Sequence, residues 1–232
     1  MPSRSRVLWP ALSILSALPF VVLLVAVLVV GKDPLGIDRW WASVMASAQT
    51  PLLTTLMSWV SGLGGGLLGG VLVPALLAVL LWRVRSGRAA VAFVVLEVIS
   101  LVAVQLVKHV VSRPRPPTAT EADLLSSFPS GHTANAATMA VLLALLLGRR
   151  WLRVLAVAWT VVMALSRTYL GEHWLTDTIA GASLGVAVAL ACWPLARSWV
   201  TWPFHRVRPP RHQPTIADDP ASAGHASHGD AR

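Results

Sequence analysis

The sequence predicts an all-α protein that crosses a membrane six times. Three observations carry that prediction. Of its 232 residues, 55% are hydrophobic and only 12% charged, a balance too apolar and charge-poor for an ordinary soluble domain. The apolar residues gather in about six stretches, each close to the roughly 20 residues a helix needs to cross the hydrocarbon core. The remaining polar residues lie mostly in short clusters where those stretches meet loops. We place the spans at 8–30, 55–82, 89–108, 132–148, 151–169 and 175–197.

The first apolar run, from Val7 to Val30, follows Arg4 and Arg6 and superficially resembles a signal peptide. It is longer than a cleavable apolar region and spans the bilayer by itself, so it reads as a retained helix. The uncharged run from Trp40 to Trp82 is too long for one crossing, and Thr50-Pro51 breaks it. Ile37 to Ala48 is expected to lie along the interface, where the amphipathic indoles of Trp40 and Trp41 favour headgroup depth. Gly62, Gly64, Gly65, Gly66, Gly69 and Gly70 fall in the second span. We read them as permitting close helix packing rather than as a nucleotide loop, because no Lys-Ser/Thr pair follows.

Glu97 is the one acid in the middle of a span, three helical turns before Lys108 and nearly on its face. It is expected to point into the bundle as a structural hydrogen-bond partner, roughly 15 Å of helix below the lysine. Ser130 precedes the fourth span as its N-cap, and Gly131 lets the backbone approach a ligand closely. The single cysteine, Cys192, lies in the last span and excludes an internal disulfide. Residues 1–202 read as the membrane domain. Residues 203–232, rich in Pro, His, Asp, Ser and Ala, read as a disordered cytoplasmic tail. The spacing of His205, His212, His225 and His228 matches no familiar set of metal ligands, so they read as solvated.

A net charge of +9 raises the question of nucleic acid. The basic residues are not gathered on an aromatic-bearing soluble surface, so no nucleic-acid partner is expected. Arg4 and Arg6, Arg83, Arg85 and Arg88, Arg149, Arg150 and Arg153, and Arg197, Arg206, Arg208 and Arg211 occupy alternate ends of the spans. The positive-inside rule puts those ends, and both termini, in the cytoplasm of a multi-pass cell-membrane protein. The opposite ends then face outward.

Three polar blocks fall at those outward ends: Lys108 with Arg115-Pro116, then Pro129-Ser130-Gly131-His132, then Ser166-Arg167 followed by His173 and Asp177. Lysine and arginine neutralise phosphoryl oxygens, one imidazole can attack phosphorus, another can protonate a leaving alcohol, and a carboxylate fixes a tautomer. Each block alone has a plainer reading. Lys108 and Arg115 can snorkel at the membrane surface, Pro-Ser-Gly is an ordinary turn, and Asp177 in an early helical turn favours the dipole. Arg113 reads as an interface anchor, with a place in a phosphate site as its alternative, and Glu172 reads as an exposed neighbour. His173 and Asp177, four apart, are expected to share a helix face, with the carboxylate accepting from Nδ1–H and leaving Nε2 its lone pair.

Taken together the blocks resemble the tripartite signature of the type 2 phosphatidic acid phosphatase superfamily: Lys, six residues, Arg-Pro; Pro-Ser-Gly-His; Ser-Arg, five residues, His, three residues, Asp. Order and internal spacings agree, and the helix pattern resembles the family over 89–193. The resemblance implies that Lys108, Arg115, Ser130, Gly131 and Arg167 hold phosphate, that His132 is the general acid, that His173 is the nucleophile, and that Asp177 orients it. It implies an integral membrane lipid phosphatase that needs no metal or other cofactor and works through a phosphohistidine. Its partners would be the bilayer and a lipid mono- or diphosphate of the undecaprenyl diphosphate, phosphatidate or phosphatidylglycerophosphate type. The signature does not choose among these, nor does it set an oligomeric state. A vanadate-dependent haloperoxidase shares the geometry but not the multiple spans. A non-hydrolytic lipid phosphate transporter or scaffold has no need of a nucleophile and acid in this arrangement.

Overall fold

Eight α-helices make up the computed structural model, which describes residues 4–120 and 126–201; no strand occurs among these residues. The helices are α1 (Arg4–Val29), α2 (Gly36–Ser47), α3 (Pro51–Gly62), α4 (Val73–Val84), α5 (Gly87–Val111), α6 (Gly131–Leu147), α7 (Arg150–Tyr169) and α8 (Leu175–Thr201). One π-helical turn, Leu68–Leu72, leads into α4. The expected tail, with its four histidines, lies outside the described residues.

Four stretches are long and apolar enough to cross a membrane: Leu8–Val29, Gly87–Val111, Arg150–Tyr169 and Leu175–Thr201. Leu68–Val84 and Gly131–Leu147 are apolar but shorter. The outward faces carry the side chains that hydrocarbon demands. Val29, Val110 and Leu195 are examples, each exposed by more than 70%.

The expected span 55–82 is not one helix. α3 stops at Gly62, the chain turns through Leu63–Gly65 with Gly66 at φ +60°, and the π-helical turn begins at Leu68. Glycine makes the break cheap, and Asn135 stabilises it by donating from Nδ2 to the carbonyls of Gly64 and Gly69 at 3.1 and 3.0 Å. The segment expected at the interface does form a helix, α2, and Thr50 caps α3 by accepting from the Leu53 amide at 3.3 Å. The remaining boundaries differ from expectation mainly at their ends. α5 continues to Val111, where Ser112 closes it at φ 49°, and α8 runs four residues past 197 to Thr201.

Long helices run antiparallel around α8. α1 pairs with it through Trp9 edge-on to Trp193 at 6.2 Å, and through Ser13 Oγ donating to the Ala187 carbonyl at 2.9 Å. At the other end of α1, Phe20 stacks on Phe128, which stands just before α6. Arg88 at the start of α5 reaches the Trp199 carbonyl near the end of α8. Lipid tails are as apolar as leucine, so helices in a bilayer gain little from burying leucines and must gain from close approach. Gly181 and Gly185 supply it. A Cβ at Gly181 would fall against the Ser130 backbone, and one at Gly185 would lie 2.8 Å from Thr138 Oγ1 and closer to the Ala134 carbonyl. These two glycines draw α8 onto the first turns of α6, which sets the distance between the second and third polar blocks.

Candidate active site

Lys108 occupies the last turn of α5, almost fully buried, and its Nζ donates to the Ser126 carbonyl at 2.7 Å. Beyond Ser112 the prolines at 114, 116 and 117 keep the chain out of helix. Arg115 thereby comes back across the end of the bundle. Its Nη1 donates to the Glu172 carbonyl at 2.8 Å and stands 3.4 Å from His173 Nε2.

Ser130 is the N-cap residue of α6, but its side chain makes no capping bond. Its amide instead donates to the Asp177 carbonyl at 2.9 Å, and its fully buried hydroxyl accepts from Thr133 Oγ1. Block two is therefore tied to block three through backbone. Gly131 and His132 open the helix, where N–H groups and the helix dipole favour an anion. Gly65 explains how His132 fits there, because a Cβ at Gly65 would lie within 2.6 Å of the imidazole Cδ2 and nearer still to Cε1 and Nε2.

Block three lies at the turn between α7 and α8. Gly171, at φ +69°, reverses the chain. The amides of Glu172 and His173 both donate to the Arg167 carbonyl, at 3.0 and 3.3 Å. α8 starts at Leu175, so His173 precedes the helix rather than sharing its face, while Asp177 sits in the first turn. Asp177 Oδ2 accepts from the Trp174 amide at 3.0 Å and stands 3.6 Å from His173 Nδ1. That separation is too long for a hydrogen bond, and Nδ1 has no other partner among the described residues. The carboxylate faces the ring without gripping it.

Lys108, Arg115, Gly131, His132 and His173 line one cavity of about 480 Å³. Arg167 is buried behind His173, with Nη1 donating to Ser61 Oγ and Nη2 standing 3.9 Å from Glu172 Oε2. Ser130 and Asp177 are likewise buried and off the cavity wall. Burial holds His173 well below its ordinary pKa of 6.5, helped by the positive charge of Arg167, Arg115 and Lys108 and by His132. A neutral imidazole with Nε2 toward the cavity results. Among the described residues no group of three or more His, Cys, Asp or Glu is arranged to hold a metal ion.

Three side chains differ from expectation. Arg113 is neither interface anchor nor phosphate ligand. It is almost fully buried, paired with Asp38 at 2.8 Å and with Asp177 at 2.6 Å. Removing one member of such a buried cluster costs on the order of 3–5 kcal/mol, because a charge is left without its partner. Glu172 is not exposed: Oε1 accepts from the Thr120 amide and hydroxyl at 2.9 and 2.7 Å, and Oε2 lies 3.8 Å from Arg115. It is a shared counter-ion for two arginines. Glu97 does point inward, onto the cavity wall, but Oε1 has no hydrogen-bond partner among the described residues, where a structural partner was expected.

Comparison with known proteins places this arrangement among relatives. The family model described as the PAP2 superfamily matches residues 89–201. An undecaprenyl-diphosphatase of Sulfolobus acidocaldarius is 29% identical over 165 residues, which are 68% of this chain and 78% of that one. A lipid A 4'-phosphatase of Bacteroides thetaiotaomicron is 41% identical over 58 residues, a quarter of each protein. The fold matches the crystal structure of a transmembrane PAP2-type phosphatidylglycerolphosphate phosphatase from Bacillus subtilis, with a TM-score of 0.70 and 21% identity, over 81% of this chain and 96% of that one. The match to the PAP2 superfamily model runs through α5 to α8, the helices that bring the signature blocks to one end of the bundle, and over that stretch the chain is similar to that family.

Proposed function

We propose that this chain hydrolyses a lipid phosphate ester or diphosphate by passing the phosphoryl group through His173. The observation that carries this reading is the 3.4 Å separation of Arg115 Nη1 from His173 Nε2 at the wall of the cavity. Guanidinium only donates, so Nε2 faces it with a lone pair, and a phosphoryl group drawn to that cation arrives beside the nucleophile. Nε2 then attacks phosphorus, the bond to the leaving oxygen breaks, and His132 gives that oxygen its proton. In the second step His132 takes a proton from water, the hydroxide oxygen attacks phosphorus, and the N–P bond breaks to release inorganic phosphate. Lys108, Arg115, Arg167 and the α6 N-terminus at Gly131 neutralise charge on the transferring group, with the backbone at Ser130 fixing that N-terminus. Asp177 orients His173.

The cavity continues from the histidines between α4 and α5, past Val71, Pro74, Val98 and Leu101. An apolar wall of this kind suits a lipid tail. The named activities of the relatives make a prenyl diphosphate or a glycerolipid phosphate the first candidates. In our reading the two shorter apolar helices also cross, giving six spans. The polar blocks then face outward and the arginine-rich ends inward.

Phosphate release by the purified full chain in detergent tests this. The panel is undecaprenyl diphosphate, phosphatidate and phosphatidylglycerophosphate, each with EDTA in excess. Release from at least one, suppressed by vanadate, is expected. Release from none, or loss in EDTA that Mg²⁺ or Zn²⁺ restores, contradicts it.

A further inference from the structure

Outside the cavity, one cluster uses every donor it has. A guanidinium carries five N–H groups. Those of Arg113 meet the Lys32 carbonyl from Nε at 3.3 Å, Thr176 Oγ1 and Asp177 Oδ1 from Nη1 at 2.8 and 2.6 Å, and Asp38 Oδ2 and the Asp33 carbonyl from Nη2 at 2.8 and 3.5 Å. Asp38 is as fully used, accepting also from the Leu35 amide, the Thr176 amide and the Thr176 hydroxyl. Arg113, Asp38 and Thr176 are all buried and none lines the cavity. They converge on the one carboxylate that faces His173.

We infer that Arg113, braced by Asp38, is a positioning residue that acts on His173 through Asp177. The inference rests on the hydrolytic reading above. A buried carboxylate with no cation beside it tends to take up a proton, and a protonated Asp177 would no longer present a charged acceptor to Nδ1–H. Arg113 places a cation 2.6 Å from Oδ1 and so favours the charged form. Orientation follows as well: with Oδ1 held by the guanidinium and Oδ2 by the Trp174 amide, the carboxylate plane cannot turn away from the imidazole. When Nε2 bonds to phosphorus the ring becomes cationic, and its Nδ1–H finds a fixed anion. Two carboxylates and one guanidinium leave the cluster one negative charge, opposite in sign to the ring that forms. Asp38 supplies the second carboxylate and, through the Thr176 amide, ties α2 to the first turn of α8.

A plain structural role would also use these bonds, so the test must separate the two. The Asp38→Asn/Arg113→Gln pair removes both charges together, and its effect is measured in the unsubstituted protein and in an Asp177→Asn background. A residue acting through Asp177 should lower kcat at least tenfold with KM within twofold. In the Asp177→Asn background the same pair should change kcat less than twofold, because its target is already gone. An equal further loss there, or no loss in the unsubstituted protein, overturns the inference. If the pair fails to fold, Asp38→Asn alone keeps the side-chain shape and one acceptor oxygen while removing the charge, and in it the same non-additive loss of kcat at constant KM is expected on a smaller scale. An additive loss, or none, counts against the inference in that variant too. If the unsubstituted protein hydrolyses no lipid phosphate, the hydrolytic reading fails and takes this inference with it. Hydrolysis with a multiplicative cycle sinks the inference alone.

Discussion

Gly65→Ala should separate activity from stability. The added methyl would lie 2.6 Å from His132 Cδ2, against an ordinary contact of 3.4 Å. The difference, 3.4 less 2.6, means the ring retreats by at least about 0.8 Å, and by more at Nε2. Because the obstacle is the far end of a side chain, χ rotation relieves the clash at a cost of about 0.5–1.5 kcal/mol. Catalysis is far less tolerant. A displacement of about 1 Å in a positioned group lowers rate on the order of 10²-fold. We therefore expect kcat for lipid phosphate to fall about a hundredfold while thermal unfolding in detergent shifts by only a few degrees. Gly70→Ala is the control, since a Cβ there has no neighbour within 4 Å. Near-normal kcat in Gly65→Ala, or an equal loss in Gly70→Ala, would refute the placing of His132 against that glycine.

Three further outcomes follow from the same geometry. Nucleophilic attack needs neutral His173, and a group with a lowered pKa stays neutral to lower pH. NMR titration of the ligand-free protein should show the His173 ring unprotonated as pH falls through 6.5, with Arg115→Gln moving its midpoint upward by removing a nearby cation; a midpoint at or above 6.5 in the unsubstituted protein contradicts this. Gly185→Val places carbon against the Ala134 carbonyl and Thr138, where helix backbone cannot give way, so it should destabilise by about 1–3 kcal/mol or more on thermal unfolding; unchanged melting argues against the close α6–α8 approach. In a Cys192→Ala background, cysteine at Thr118 should react with an impermeant thiol reagent in intact cells and cysteine at Arg85 should not, and the reverse would invert the proposed orientation.

Much of the site was legible because its chemistry is written locally. Lys108, His132 and Arg167 stand at helix ends and Arg115 and His173 in the loops beside them, and their side-chain chemistry requires little knowledge of what lies opposite. The Arg113 cluster was hidden for the converse reason. Its meaning depends on Asp177 and Asp38, which are 64 and 75 residues away, and the charge of an arginine beside a loop proline does not announce a buried partner. Glu172 was misread in the same way, since its partners Thr120 and Arg115 come from another loop. The break at Gly62–Gly66 lay within an unbroken apolar run, and hydropathy does not register a turn that glycine and Asn135 jointly support. Gly181 and Gly185 form a small-xxx-small pair whose meaning likewise comes from what lies opposite, the backbone of Ser130 and Ala134.

The division of labour between the two histidines is the central claim, and trapping the phosphoenzyme tests it directly. With an activated aryl phosphate the leaving group needs little acid, so His132→Ala should release aryl alcohol in a first burst and then stall for want of a base. Mass spectrometry should then find phosphate on His173, labile in acid and stable in base, and His173→Ala should give neither burst nor label. Burst and label in His173→Ala but not in His132→Ala would exchange the two roles, and label on neither histidine would remove the covalent intermediate altogether.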